Sequence, residues 1–227
     1  MDDCVAVYLE AGSKRVFAGA IGWPGWCRPG RDESGALAAL EAFASRYRTV
    51  MAAASISFPL LTAPPRFVIL ERLTGDSGTD FGAPTQPPAA DDRPLDAAEL
   101  DRQSRILQAS WAAFDLVVAG AVGLEFRTGP RGGGRTLPAI VAHCLEAESA
   151  YLVKLGARAP SARDQATGAA LATPRQVALA ALVARARGEE PADPSRTVAR
   201  WTPRYFVRRA AWHALDHAWE IEDRAAG

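Results

Sequence analysis

Between Thr74 and Pro94 this chain loses all periodicity. The run GDSGTDFGAPTQPPAADDRP is rich in Gly, Pro and Asp, residues that punctuate helices and strands rather than extend them. The sequence before it alternates apolar and polar positions, the signature of strands, whereas the sequence after it repeats its apolar positions at helical spacing. That break sets the expected organisation: a small α/β domain over 1–78, a Pro/Gly-rich linker over 79–94, and a helical domain over 95–227. The fold class is therefore α+β, and 227 residues are enough to bury a substantial core in such a chain.

In the first part, CVAVYLEAGSKRVFAGA alternates around Gly12 and Ser13, which predicts a hairpin with a tight polar turn. A Gly/Pro-rich stretch, IGWPGWCRPGRDES, leaves room for a short third strand near Trp26. Asp32 or Ser34 is placed to cap a helix from Ser34 to Ala53, with Leu37, Leu40, Phe43 and Tyr47 as its apolar stripe. RFVILERL, Arg66 to Leu73, predicts one more strand. In the second part, helices are expected at Leu95 to Gly120, around TLPAIVAHCLEAESAYLVKLG, at Pro174 to Gly188, and over Trp201 to Arg224. Four such helices pack most simply as an antiparallel bundle.

The last helix, WTPRYFVRRAAWHALDHAWEIEDR, concentrates the chemistry. His213 and His217 stand four apart, so at about 100° per residue their imidazoles lie about 40° apart on one face and about 6 Å apart along the axis. That spacing lets two nitrogens reach one metal ion. Phe206, Ala210, Ala214 and Ile221 share that face, which points it into the bundle. The chain's one other histidine, His143, sits on a similar face among Ala139, Ile140, Ala147 and Ala150. If the second and fourth helices face each other, His143, His213 and His217 form a three-imidazole site with a position open for water or substrate, the arrangement of a catalytic rather than a closed ion.

Glu220 lies one turn beyond His217 and is a candidate to orient an imidazole, add a ligand or move a proton. Arg224, further along that face, is a candidate to meet an anionic substrate group, although an arginine at a helix carboxyl end also suits the dipole. Glu146 is a candidate outer partner of His143. Asp216 projects off the ligand face as a surface or interhelical partner, and Trp212 and Trp219, seven apart, form a packing stripe of their own. Cys144 reads as a small buried hydrophobe. Trp23 and Trp26 are candidates to line a pocket or a domain interface, and Asp80 with Phe81, flanked by glycines, suggests a turn that docks near a site. The loop RTGPRGGGRT lacks the order of a phosphate-binding loop.

Lys+Arg and Asp+Glu are both 26, so no overall field recruits nucleic acid or an anionic membrane. Three cysteines without CxxC spacing fit a reducing compartment rather than a disulfide framework. MDDCVAVYLE has no signal-peptide layout, and no apolar run approaches the length of a membrane span. The expected setting is the cytoplasm, with a small-molecule substrate as the partner and a homodimer as the one assembly left open. Two lysines beside 24 arginines, with abundant alanine, match a high-GC, actinobacterial composition.

The second half resembles the DinB/YfiT-like family of four-helix bundles, through His143 in VAHCLEAESAYL and the HxxxH of RRAAWHALDHAWEIEDR. The resemblance covers roughly Leu95 to Arg224. It implies a divalent metal, commonly zinc or nickel, on His143, His213 and His217, and a low-molecular-weight thiol such as mycothiol as co-substrate of an S-transferase or isomerase acting on an electrophile. The HxxxxHxE pattern of the family's sulfoxide synthases is absent, and the extra domain precedes the bundle rather than following it as in the family's isomerases. The first third is similar to the small domain of HicB antitoxins, through WPGWCRPGRDESGALAALEAF after a hairpin, without their appended DNA-binding module. A second function follows from that likeness: a non-catalytic metal-binding stress or regulatory protein that contacts a partner through its HicB-like domain.

Overall fold

The computed structural model describes residues 4–58, 66–127, 134–158, 173–189 and 200–225. The chain is α+β, as the periodicities require. The hairpin forms from β1 (Cys4–Ala11) and β2 (Val16–Ala20), paired antiparallel with Val7 opposite Ala20 and Ala11 opposite Val16. β3 (Cys27–Gly30) adds to β2, and β4 (Arg66–Thr74) returns parallel to β1, giving the order β3-β2-β1-β4.

Between β3 and β4 runs α1 (Glu33–Ala42), capped by Asp32, whose carboxylate accepts from the Gly35 amide at 2.8 Å. The expected single helix to Ala53 is corrected here: Phe43 takes φ −90° and ψ −1°, and the chain restarts as α2 (Ala44–Ala53). No Gly or Pro signals the break. The Phe43 ring is held from outside its own helix, 5.1 Å from the Trp219 ring and 3.9 Å below the Arg28 guanidinium. Leu40 and Tyr47 are buried on the sheet with Val7, Leu9, Ala18, Ala20, Trp26 and Met51.

The segment after β4 is not bare spacer. It carries the five-residue α3 (Ser77–Phe81) and a 3-10 turn at Ala89–Asp92. Glu10, fully buried on β1, fixes it by accepting from the backbone amides of Thr85 at 2.8 Å and Gln86 at 3.1 Å and from the Thr79 hydroxyl. Asp80 closes the hairpin turn, accepting from Ser13 and from the Lys14 amide at 2.7 Å. The expected docking of Phe81 is corrected: its ring is 73% exposed, and the aspartate alone anchors that turn.

Four helices complete the described chain: α4 (Ala97–Gly120), α5 (Leu137–Leu155), α6 (Pro174–Ala186) and α7 (Pro203–Ala225). Their directions correct the all-antiparallel packing. Arg204, at the start of α7, bonds to the carbonyls of Arg93 and Pro94 and to Glu99 at the start of α4, while Arg224, at the far end of α7, bonds to Arg127 beyond α4. Thus α4 and α7 run parallel. α5 runs against them, since Arg224 reaches the Arg135 carbonyl before α5 and Trp201 reaches that of Lys154 near its end. α6 begins beside Glu148 and Asp115 through Arg175 and ends near Leu95 and Leu100, so it follows α5 in direction.

α7 is the central element, buried on nearly every side. One side packs in the bundle through Phe206, Ala210, Ala214 and Ile221, with Leu107, Phe114, Ile140 and Leu152. The other meets the sheet unit. Leu215 and Trp219 join the core of β1, β2 and α1, and Trp212 packs edge-on to Phe17 at 6.1 Å. The loop before β3 approaches α7 at Gly25, where φ is +91° and a Cβ would lie 3.1 Å from the Ala211 Cβ. A buried ion pair ties these layers together. Arg208 donates to both oxygens of Asp91 at 2.7 Å and to the carbonyls of Ala20 and Ile21 at 2.9 Å.

Candidate metal centre

Three imidazoles meet between α5 and α7. A helical turn separates His213 from His217, and the antiparallel approach of α5 carries His143 against both; alanines 210, 214 and 218 keep the α7 surface low enough for close packing. Ring centroids lie 4.6 Å apart for His213 and His217, 5.1 Å for His143 and His213, and 5.0 Å for His143 and His217. One nitrogen from each ring lies within 4.8 Å of the others. The Nε2 atoms of His143 and His213 are 3.2 Å apart. Two nitrogens bound tetrahedrally at about 2.0–2.1 Å from one zinc-like ion would stand about 3.3 Å apart, so this pair already has the spacing of two ligands.

The protonation states suit that role. Burial pushes His213 down to about 2, with further lowering from His217, Arg209, His143 and Arg135 nearby. Burial also lowers His143, helped by the charge of Arg135. Both rings therefore stay neutral and keep a lone pair at physiological pH.

Glu220 is bonded to His217: its Oε2 lies 2.8 Å from Nδ1. A carboxylate there accepts the Nδ1 proton and leaves Nε2 as the free base, the usual outer support of a metal-binding histidine. The His217 hydrogen bond is the main reason the Glu220 carboxyl lies below its ordinary range, with Arg224 adding to it. Arg224 donates to Glu220 Oε1 at 2.8 Å and to the carbonyls of Arg127 at 3.2 Å and Arg135 at 2.9 Å. Its guanidinium is thus engaged with the protein on all three nitrogens.

The remaining candidates lie elsewhere. Glu146 is exposed and unbonded to His143. Asp216 takes an ion pair from Arg28 on β3 at 2.7 Å. Trp26 is buried in the sheet core, donating to the Leu40 carbonyl at 2.8 Å, and Trp23 packs on Tyr47 and Phe58 with Arg102 above it at 4.3 Å. Trp26 is thus a packing residue of the sheet unit, whereas Trp23, under Arg102 of α4, lies where the sheet unit meets the helices. Cys144 is buried, which raises its thiol to about 12. Most of the glycine-rich loop lies outside the described residues.

Three neighbours of the site escaped the sequence reading. Tyr151 lies two turns beyond His143, its ring 5.6 Å from that of His213. Trp201 packs on Tyr151, ring centroids 5.0 Å apart and planes tilted by 45°. Arg209 lies one turn before His213, beside Tyr151 and Trp212. Extending the histidine faces by a turn or two in each direction would have found Tyr151 and Arg209.

The fold and site define an α+β protein with a three-histidine cluster able to hold a metal ion. No family model, curated protein or solved structure matches this chain. Among the described residues, no helix is long and apolar enough to cross a membrane.

Proposed function

We propose that the protein is a divalent-metal-dependent enzyme of the DinB type, a thiol S-transferase or isomerase acting on a small electrophile. The observation that carries this reading is the convergence of His143, His213 and His217, with two ring nitrogens at ligand spacing. A bound zinc or nickel ion would supply acidification of a thiol, mycothiol or a similar small one, so that the thiolate is present at neutral pH.

The chain's own residues do the rest. His143 and His213 remain neutral as ligands because His143 is half-buried, His213 is buried, and Arg135 lends positive charge to both. Glu220 holds the His217 tautomer and Arg224 holds Glu220 in place. Both Glu220 oxygens are occupied in this way, which supports an open position at the ion rather than a fourth protein ligand. The same contacts, with the exposure of Glu146, argue against a closed structural ion and the purely regulatory role that would go with it.

The test is elemental analysis of purified protein beside the His213→Ala, His217→Ala double variant, with thermal unfolding of both. Near-stoichiometric metal in the parent, absent from a variant that still unfolds cooperatively, is the expected result, followed by thiol consumption when the loaded parent meets mycothiol and electrophiles such as maleylpyruvate. A parent that cannot be loaded with zinc or nickel would overturn the reading.

A further inference from the structure

α7 carries buried or half-buried arginines on both sides, and nearly all have an acidic partner. Arg204 is bonded to Glu99, Arg208 to Asp91 and Arg224 to Glu220. Arg209 differs. Its Nη1 is buried without a hydrogen-bond partner, and the guanidinium is held by two rings instead, its Cζ 4.6 Å from the Trp212 centroid and 5.6 Å from that of Tyr151. A guanidinium N–H withdrawn from water and left unbonded is costly, and the shortfall is largest for a charged group. An aromatic contact offsets part of that cost but supplies no acceptor.

The position of this group gives the unbonded donor a meaning. Arg209, His213 and His217 follow one another at successive turns on α7, so Arg209 stands about 6 Å along the axis from His213. The walls are shared: the Tyr151 ring is 5.6 Å from the His213 ring and the Trp212 ring is 6.1 Å from it. The same two aromatics therefore border the imidazole cluster and the free guanidinium. A planar fork of donors between flat walls matches a carboxylate, whose two oxygens take paired N–H bonds and whose single charge one arginine balances. Arg224, the cation singled out from sequence, is engaged on every nitrogen, whereas Arg209 has a buried nitrogen to spare.

We infer that Arg209 anchors the carboxylate of a small substrate whose reacting group lies at the three histidines, with Tyr151 and Trp212 as the walls of that subsite. The inference rests on the metal-centre reading above and names the substrate class for it: a carboxylic acid in which about one helical turn separates the carboxylate from the reacting atom.

The test uses the full chain loaded with cobalt(II) and two probes of equal length, 3-mercaptopropionate and its neutral amide, 3-mercaptopropionamide, with thiol binding followed in the cobalt visible spectrum. The parent should bind the carboxylate about ten- to a hundredfold more tightly than the amide. Arg209→Gln should abolish that preference, leaving cobalt content and amide affinity unchanged, and Arg209→Lys should restore part of it. Equal affinities in the parent, or a preference that survives Arg209→Gln, would overturn the anchor while leaving the metal centre standing. Cobalt uptake with neither thiol bound would count against the thiol chemistry and the anchor together, and a parent that takes up no cobalt would remove the metal reading itself. If Arg209→Gln does not fold, the comparison of the two probes on the parent still decides.

Discussion

Replacing Asp91 by alanine should be among the most damaging single changes in this protein. Asp91 is 1% exposed at its side chain and the Arg208 side chain 6%, so solvent screens neither group. The aspartate accepts two short bonds from Arg208, each 2.7 Å. Its removal leaves a buried guanidinium whose remaining partners are the carbonyls of Ala20 and Ile21, neither of which neutralises it. Breaking one side of such a pair costs about 3–5 kcal/mol. Two lost bonds to a charged group at about 1.5–3 kcal/mol each give a similar figure. For a chain of 227 residues, at roughly 2–4 °C per kcal/mol, the melting temperature should fall by about 6–20 °C. Urea unfolding of parent and variant at pH 7 reads the same quantity as a lower midpoint with an unchanged slope. The double change Asp91→Leu, Arg208→Met, which removes both charges, should be milder than Asp91→Ala alone, since no unpaired ion remains. A loss below about 1 kcal/mol for Asp91→Ala, within the range of an exposed pair, would refute the claim that this contact locks α7 to the turn at Ala89–Asp92.

Other consequences are open to direct measurement. Glu220→Gln should weaken metal binding about ten- to a hundredfold in a chelator competition while the protein stays folded, because the outer support of His217 is lost; an unchanged affinity would show that His217 needs no such support. Native protein should expose one thiol to a disulfide reagent at pH 8 and three after denaturation, since Cys4 is exposed while burial raises Cys27 and Cys144 to about 12; prompt reaction of all three would contradict the packing around Phe17 and Ile140. Asp76, Asp80 and Glu99 are each held below the ordinary carboxylate range, by hydrogen bonds from Thr85, Ser13 and Arg204 respectively. Their contribution to stability is present above their unfolded values near about 4 and is lost as pH falls below them, so the urea midpoint should drop between pH 5 and pH 3; a midpoint flat across that window would refute it.

The elements were legible because their signals are local. Alternation around Gly12 and Ser13 gives the hairpin, Asp32 its cap on α1, and the four-residue spacing of His213 and His217 the half of the site that one helix can show. What was hidden depends on contacts far apart in sequence. Phe43 interrupts its helix for the sake of Trp219, some 176 residues away, and nothing between Glu33 and Ala53 announces it. The directions of α5 and α6 follow from which ends meet, and no helix periodicity encodes that. The segment before α4 has turn composition, yet Glu10 and Arg208 give its amides and Asp91 their partners.

The final helix shows where a sequence pattern was read in part. Phe206, Ala210, Ala214 and Ile221 mark the bundle side, with the histidines among them. Arg208, Trp212, Leu215 and Trp219 form a second stripe, at four-three-four spacing, that starts two residues after Phe206. At about 100° per residue that offset turns the second stripe mostly to the opposite side of the helix, with Trp212 at its edge, about 100° from His213 and still beside that ring. Two opposed stripes belong to a helix covered on both sides, and the arginine in the second stripe is met by a buried acid from the turn at Ala89–Asp92. The arrangement bears on the site. His213 and His217 stand on an element that the bundle holds from one side and the sheet from the other, so the backbone that carries them is held on both sides. Such support preorganises two of the three nitrogens, which suits the histidine cluster to holding an ion.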